Sequence, residues 1–233
     1  MDNVNQEQVL DNPIFNALTT GNRVFSEGDE QLYYFQTAVA PFVGMAAYTA
    51  ETFELLQQVP VAGADFFIVF TTEETEIPHP WKLLAALPLY QMVYTGPLLT
   101  AQTDSAIVPL TEKDVPAMLA LTQLTNPGPF RQRTIELGNY TGIFADGELV
   151  AMAGQRLQPL PYIEVSAVCT HPQYVGRGYA GRLIKEQVRR IQQQGGIPFL
   201  HSKQDNTGAI HLYEKLGFSI RRVNYAYMFA LTV

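Results

Sequence analysis

The sequence predicts an α/β fold, a mixed β-sheet flanked by helices, preceded by an N-terminal lobe of divergent pattern. Three observations carry this. Over residues 106–233, short apolar and β-branched runs alternate with stretches of helical periodicity. Asp146-Gly147 joins two of those runs, a strong hairpin signal. A glycine-rich segment, Val175-Gly176-Arg177-Gly178-Tyr179-Ala180-Gly181, stands between a strand and an amphipathic helix. Of the 233 residues, 47% are apolar and 16% charged, enough to fill a core and too apolar for wholesale disorder.

Residues 1–105 form the first lobe. They hold two basic side chains, Arg23 and Lys82, against thirteen acidic ones. The remaining basic residues fall in 106–233. The boundary is marked by Thr95-Gly96-Pro97 and Gln102-Thr103-Asp104-Ser105. Tyr33-Tyr34-Phe35 and Asp65–Phe70 read as strands, being aromatic and β-branched. Met45–Gln58 has apolar residues at helical spacing, and Thr71–Pro80 is an acidic loop before the only Trp, at 81. The aromatics of this lobe read as core; the sharper alternative is a lobe that shapes an acceptor site.

The second lobe reads in order. Ile107–Leu110 is a short strand, and Thr111 with Asp114 forms an imperfect capping box before a helix through Met118 and Leu121. Asn126-Pro127-Gly128-Pro129 breaks the chain. Tyr140–Ala145 and Leu149–Gly154 are the hairpin strands, and Ile163–Thr170 is another strand. Gly178–Gln194 is a helix with Ala180, Ile184, Val188 and Ile191 on one stripe. Pro198–Ser202, Thr207–Leu216 and Asn224–Thr232 read as strand, helix and strand.

Composition narrows the function classes. No basic stripe with interleaved aromatics speaks for nucleic acid, and no apolar run approaches the roughly 18 residues of a membrane span. The start of the chain lacks a signal-peptide pattern, so the expectation is a soluble cytoplasmic protein. With Cys169 alone, no intrachain disulfide or cysteine metal cluster can form, and no metal is expected.

The glycine segment is the central feature. The first N–H groups of a helix lack intrahelical partners, and a Ser, Thr, Asp or Asn side chain usually caps them. No such residue lies between His171 and the end of this helix. Bare backbone there suits an external anion, because N–H groups and helix dipole both favour negative charge. Arg177 and Arg182 add positive charge, and a diphosphate is the natural ligand. The plain alternative is a tight turn with close helix–sheet packing. Gly176-Arg177-Gly178-Tyr179-Ala180-Gly181 also matches the dinucleotide fingerprint GxGxxG, but that motif opens directly from a strand end. Here five residues, including Pro172, follow Thr170. A phosphate-binding P-loop would need Lys-Ser/Thr where Arg182-Leu183 stands.

This segment resembles motif A of the GNAT superfamily of acyl-CoA-dependent N-acyltransferases, Arg/Gln-x-x-Gly-x-Gly/Ala, with Val175 in the place of the usual Arg or Gln. Asn206-Thr207-Gly208-Ala209-Ile210-His211-Leu212-Tyr213-Glu214-Lys215-Leu216-Gly217-Phe218 is similar to the family's second motif. The resemblance covers about residues 106–233, and the two-lobed chain is similar to the glycine N-acyltransferase-like branch. It implies a GNAT-like central sheet and transfer of an acetyl or other short acyl group from acyl-CoA to a primary amine. It implies acetyl-CoA, or another acyl-CoA, as cosubstrate. A small-molecule amine is the expected acceptor, a protein or peptide amine the alternative. A non-catalytic CoA-binding regulatory module is the second reading.

By resemblance, the diphosphate falls to the amides of Gly176, Gly178, Ala180 and Gly181, in a cofactor-binding segment that also includes Val175, Arg177 and Tyr179, and the backbone of Val168, Cys169 and Thr170 pairs with the pantetheine arm. Tyr213 matches the family's thiol-facing acid and Asn206 its CoA-bonding asparagine; as plain structure they would be a core tyrosine and a helix N-cap. For the base, Glu164 comes first and His201 second. A carboxylate on a buried strand is expected to have a raised pKa, and period-2 alternation places Glu164, Ser166, Val168 and Thr170 on one face, with Cys169 on the other. His171 and His211 read as loop and surface residues.

Overall fold

In the computed structural model, residues 7–59, 66–100 and 104–232 are described. Gln102, Thr103 and Asp65, which the sequence reading used at the boundary and at a strand start, lie outside them. The first α-helix among the described residues is α1 (Pro13–Thr19), followed by a three-stranded antiparallel sheet of β1 (Ser26–Gly28), β2 (Leu32–Phe35) and β3 (Val43–Met45), then α2 (Ala50–Gln57). Met45 therefore closes a strand rather than opening a helix. The helix waits for Thr49, whose hydroxyl accepts the Thr52 N–H while Thr52 Oγ1 accepts that of Thr49.

The main sheet draws on both halves of the chain. Its strands are β4 (Phe67–Thr71), β5 (Trp81–Tyr94), β6 (Val108–Pro109), β7 (Thr141–Ala145), β8 (Glu148–Gln155), β9 (Tyr162–Thr170), β10 (Ile197–Lys203) and β11 (Phe218–Leu231). Their order is β4-β11-β5-β10-β9-β8-β7-β6. The helices α3 (Val115–Thr125), α4 (Tyr179–Gln193) and α5 (Thr207–Lys215) complete the mixed α/β layer arrangement. The division expected at 105 thus falls between strands of one sheet. β5 pairs along β11 from Trp81–Leu231 to Tyr94–Phe218. Its pattern was illegible because residues 82–88 are mostly exposed on both faces and include Pro88, tolerated where β10 has ended.

The hairpin forms as expected: Asp146 and Gly147 have φ +52° and +83°, the two left-handed residues of a type I′ turn. Two covers share one face of the sheet. The first lobe packs Leu10, Ile14, Phe35 and Phe42 against Leu89, Phe199 and Leu157. Beside it, α3 packs Met118 and Leu121 on Met152 and Cys169. The opposite face is covered by Ile184, Val188 and Ile191 of α4, against Val165 and Leu200. The site lies beside the C-terminal end of α3, where β9 and β10 part. No helix among the described residues is long and apolar enough to cross a membrane.

Candidate active site

The site begins with a pair of strands that part. β9 and β10 are parallel and hydrogen-bonded through Tyr162, Ile163 and Glu164 against Ile197, Pro198 and Phe199. Beyond that point β9 pairs with β8 alone and β10 with β5 alone. A cleft of about 490 Å³ opens between them. Ser166, Ala167 and Val168 line one wall, His201 and Lys203 the other, with Tyr213 and Asn206 of the α5 region and Thr125–Pro127 at its ends. One backbone edge of β9 from residue 165 onward is therefore left without a strand partner.

β9 also carries a bulge. Ser166 faces Gly154 and Cys169 faces Met152, so two residues of β9 oppose one of β8. Ala167 takes φ +51°, a left-handed conformation that a side chain disfavours. The extra residue breaks the expected alternation: Glu164, Ser166 and Cys169 share a face, while Val168 joins the core of the other. Cys169 donates to the Ala167 carbonyl at 3.1 Å, and burial pushes its thiol up to about 12. A thiol held protonated in this way is no nucleophile.

Glu164 is fully buried, and its environment reverses the pKa expected for it. Burial alone would raise the pKa, but Arg156 and His201 outweigh it and bring the carboxyl down to about 2. Arg156 grips it with both Nε (2.8 Å) and Nη2 (2.7 Å), His201 Nδ1 lies 2.8 Å from Oε1, and the Leu157 N–H donates at 3.2 Å. The four acceptor positions of the carboxylate are taken. His201 is committed too. Gln91 donates from Nε2 to the Leu10 carbonyl and accepts from Arg221 at Oε1, which fixes its amide and points Nε2 at His201 Nε2, 3.2 Å away. His201 therefore holds its proton on Nδ1, towards Glu164. Neither expected base presents a free lone pair to the cleft.

Tyr213 stands at the cleft with its ring against Phe218, centroids 6.1 Å apart, and is nearly buried. Burial, with Cys169 nearby, pushes its phenol up to about 12, so the hydroxyl keeps its proton. Tyr213 thus belongs both to the core and to the lining of the cleft. Asn206 also does its plain structural work, accepting the Ala209 N–H at Oδ1. Thr170, at the end of β9, has a buried hydroxyl without a partner among the described residues.

At the glycine segment, Gly176 and Gly178 have φ +84° and +78°, and a Cβ on either would meet nothing within 4 Å. Gly178 is the N-cap of α4 and no side chain caps the helix. The first helical bond to this turn is from the Arg182 N–H to the Gly178 carbonyl. The donor set fits a diphosphate: bare amides, open space in front of them, a helix N-terminus. The charge expected from Arg182 is compensated, since Asp104 binds its guanidinium, with Nη2 2.6 Å from Oδ1. Arg177 lies over the Tyr174 ring at 4.5 Å, Tyr174 stacks on Tyr179, and Val175 is exposed.

Two residues of the site escaped the sequence reading, Arg156 and Gln91. Each is a polar residue bordering or interrupting an apolar strand run, the signal that marks a buried partner elsewhere.

The parted parallel strands, the bulge and the uncapped glycine turn lie in one mixed sheet flanked by helices. The FR47-like protein family model matches residues 140–227. A protein from Novosphingobium aromaticivorans DSM 12444, assigned to the GNAT family of acetyltransferases, is 36% identical over 97% of this chain and 99% of its own, with a TM-score of 0.89. The N-alpha-acetyltransferase RimI of Mycobacterium tuberculosis is 36% identical over 84 residues, 34% of this chain and about half (51%) of that protein. A GCN5-related N-acetyltransferase from Kribbella flavida shares the fold at 18% identity, with a TM-score of 0.61 over 94% and 95% of the two chains. The chain belongs to the GNAT family.

Proposed function

We propose that the protein transfers an acetyl group from acetyl-CoA to a primary amine by direct attack in a ternary complex. The observation that carries this reading is the cleft between β9 and β10, which brings an unpaired backbone edge and Tyr213 to one space. Acetyl-CoA supplies an activated thioester; the rest is done by the chain. The amides of residues 175–181 hold the diphosphate, and Asn206 adds a polar contact beside its capping bond. The backbone of Val168, Cys169 and Thr170 pairs with the pantetheine amides and so fixes the reacting carbon in place. A main-chain N–H at the bulge donates to the carbonyl oxygen as charge develops there. Tyr213, protonated and at the cleft, gives its proton to the departing sulfur.

Glu164 and His201 act as positioning groups in this reading. With every acceptor atom committed, they hold Arg156 rather than take the amine proton, which leaves to water in the open cleft. Residues 106–233 carry the transfer, and the first lobe supports the site from behind, where Leu10 and Gln91 fix His201. The test is an amine panel with acetyl-CoA, reading release of free CoA. Release that depends on both acetyl-CoA and an amine supports the assignment; tight CoA binding with no release from any amine overturns it.

A further inference from the structure

The Arg156 guanidinium is built into the cleft in an unusual way. Its side chain is 11% exposed and lines both the main cleft and a small adjoining cavity of about 10 Å³ under Gly128 and Tyr140. Glu164 takes the Nε–H and one Nη2–H. The plane packs over the Phe42 ring, 4.8 Å from its centroid. Of the five N–H donors of a guanidinium, three remain, one on Nη2 and two on Nη1. None of them has a partner among the described residues. Nη1 faces the open side of Gly128, whose φ of +126° keeps a side chain out of that space; a Cβ there would stand 3.9 Å from it. What is left is an end-on pair of parallel N–H groups, one from each terminal nitrogen, held rigid from the other edge and from one face. That is the geometry that accepts a carboxylate in two parallel bonds. Ser166 and Ala167, at the bulge where transfer would occur, line the same two spaces.

From this we infer that Arg156 is the specificity residue for a compact acceptor carrying a carboxylate beside its amine, that is, an amino acid. The inference rests on the transfer reading above and adds to it the acceptor's second functional group. The chain Glu164–His201–Gln91 serves the same end by fixing the guanidinium before substrate arrives. The cavity beside Gly128 and Tyr140 has room for about one water, so the acceptor's carboxylate reaches the guanidinium from the larger cleft that Arg156 also lines.

The experiment compares matched acceptors on the wild-type protein at saturating acetyl-CoA: glycine, β-alanine, L-serine and L-glutamate against their α-carboxamides, or β-carboxamide for β-alanine, and against the decarboxylated amines. At least one free amino acid should exceed its carboxamide in kcat/KM by on the order of ten- to a hundredfold, with the difference chiefly in KM. Arg156→Lys should erase that ratio while acetyl-CoA affinity, measured by calorimetry, stays within about twofold. Carboxamides, simple amines or peptide N-termini used as well as or better than amino acids would overturn the inference while leaving the transferase intact. If no amine releases CoA, the transfer reading fails, and calorimetry of the same pairs on CoA-loaded protein decides the site separately. Binding of an amino acid but not its carboxamide upholds the carboxylate site, and equal or absent binding removes it.

Discussion

Glu164→Gln tests the buried ion chain most directly. The substitution keeps the size of the side chain and removes its charge, leaving the nearly buried Arg156 unpaired. Breaking a buried pair by removing one partner costs about 3–5 kcal/mol. Linkage arrives at a similar figure: lowering a carboxyl from 4.5 to about 2 on folding is worth about 3 kcal/mol at neutral pH. Because the folded pKa is depressed, this stability is complete above the unfolded value and is lost as pH falls towards the folded one. The difference between wild type and Glu164→Gln in urea unfolding should thus be about 3 kcal/mol at pH 6 and shrink by about 2 kcal/mol at pH 3. Taking the difference cancels other depressed carboxyls, such as Asp104 and Glu136, which titrate in both proteins. A variant within about 1 kcal/mol of wild type at pH 6, or a difference that does not narrow in acid, would refute the reasoning.

Three further outcomes are expected. Tyr213→Phe keeps the ring on Phe218 and removes only the hydroxyl, so turnover should fall about a hundredfold or more with acetyl-CoA affinity nearly unchanged; a protein that only binds CoA would be indifferent. Gly178→Ala meets no steric clash but must hold φ +78°, so stability should drop by about 1 kcal/mol; acetyl-CoA affinity, titrated by calorimetry, should fall as the methyl enters the space before the amides. Cys169, buried with its thiol pushed up to about 12, should resist a thiol-labelling reagent in the native protein and react at the rate of unfolding as denaturant is added; rapid labelling without denaturant would contradict the burial.

What the sequence determined by itself was local. Asp146-Gly147 dictates its turn, the stripe of Ile184, Val188 and Ile191 its helix, and the lack of any capping side chain before Tyr179 an open N-terminus, because each depends on residues a few positions apart. The same is true of the ordering of strands and helices in residues 106–233. Tertiary structure decided the rest. One extra residue at Ala167 changes which side chains share a face, and no periodicity foretells it. The pKa of Glu164 reversed direction because Arg156, eight positions away, and His201, thirty-seven away, meet it in space. Burial can be read from an apolar run, but the partner that compensates a buried charge comes from elsewhere in the chain. β5 joins the sheet through β11, more than a hundred residues later, so the division of the chain at 105 followed its composition while the hydrogen-bonded sheet runs across it.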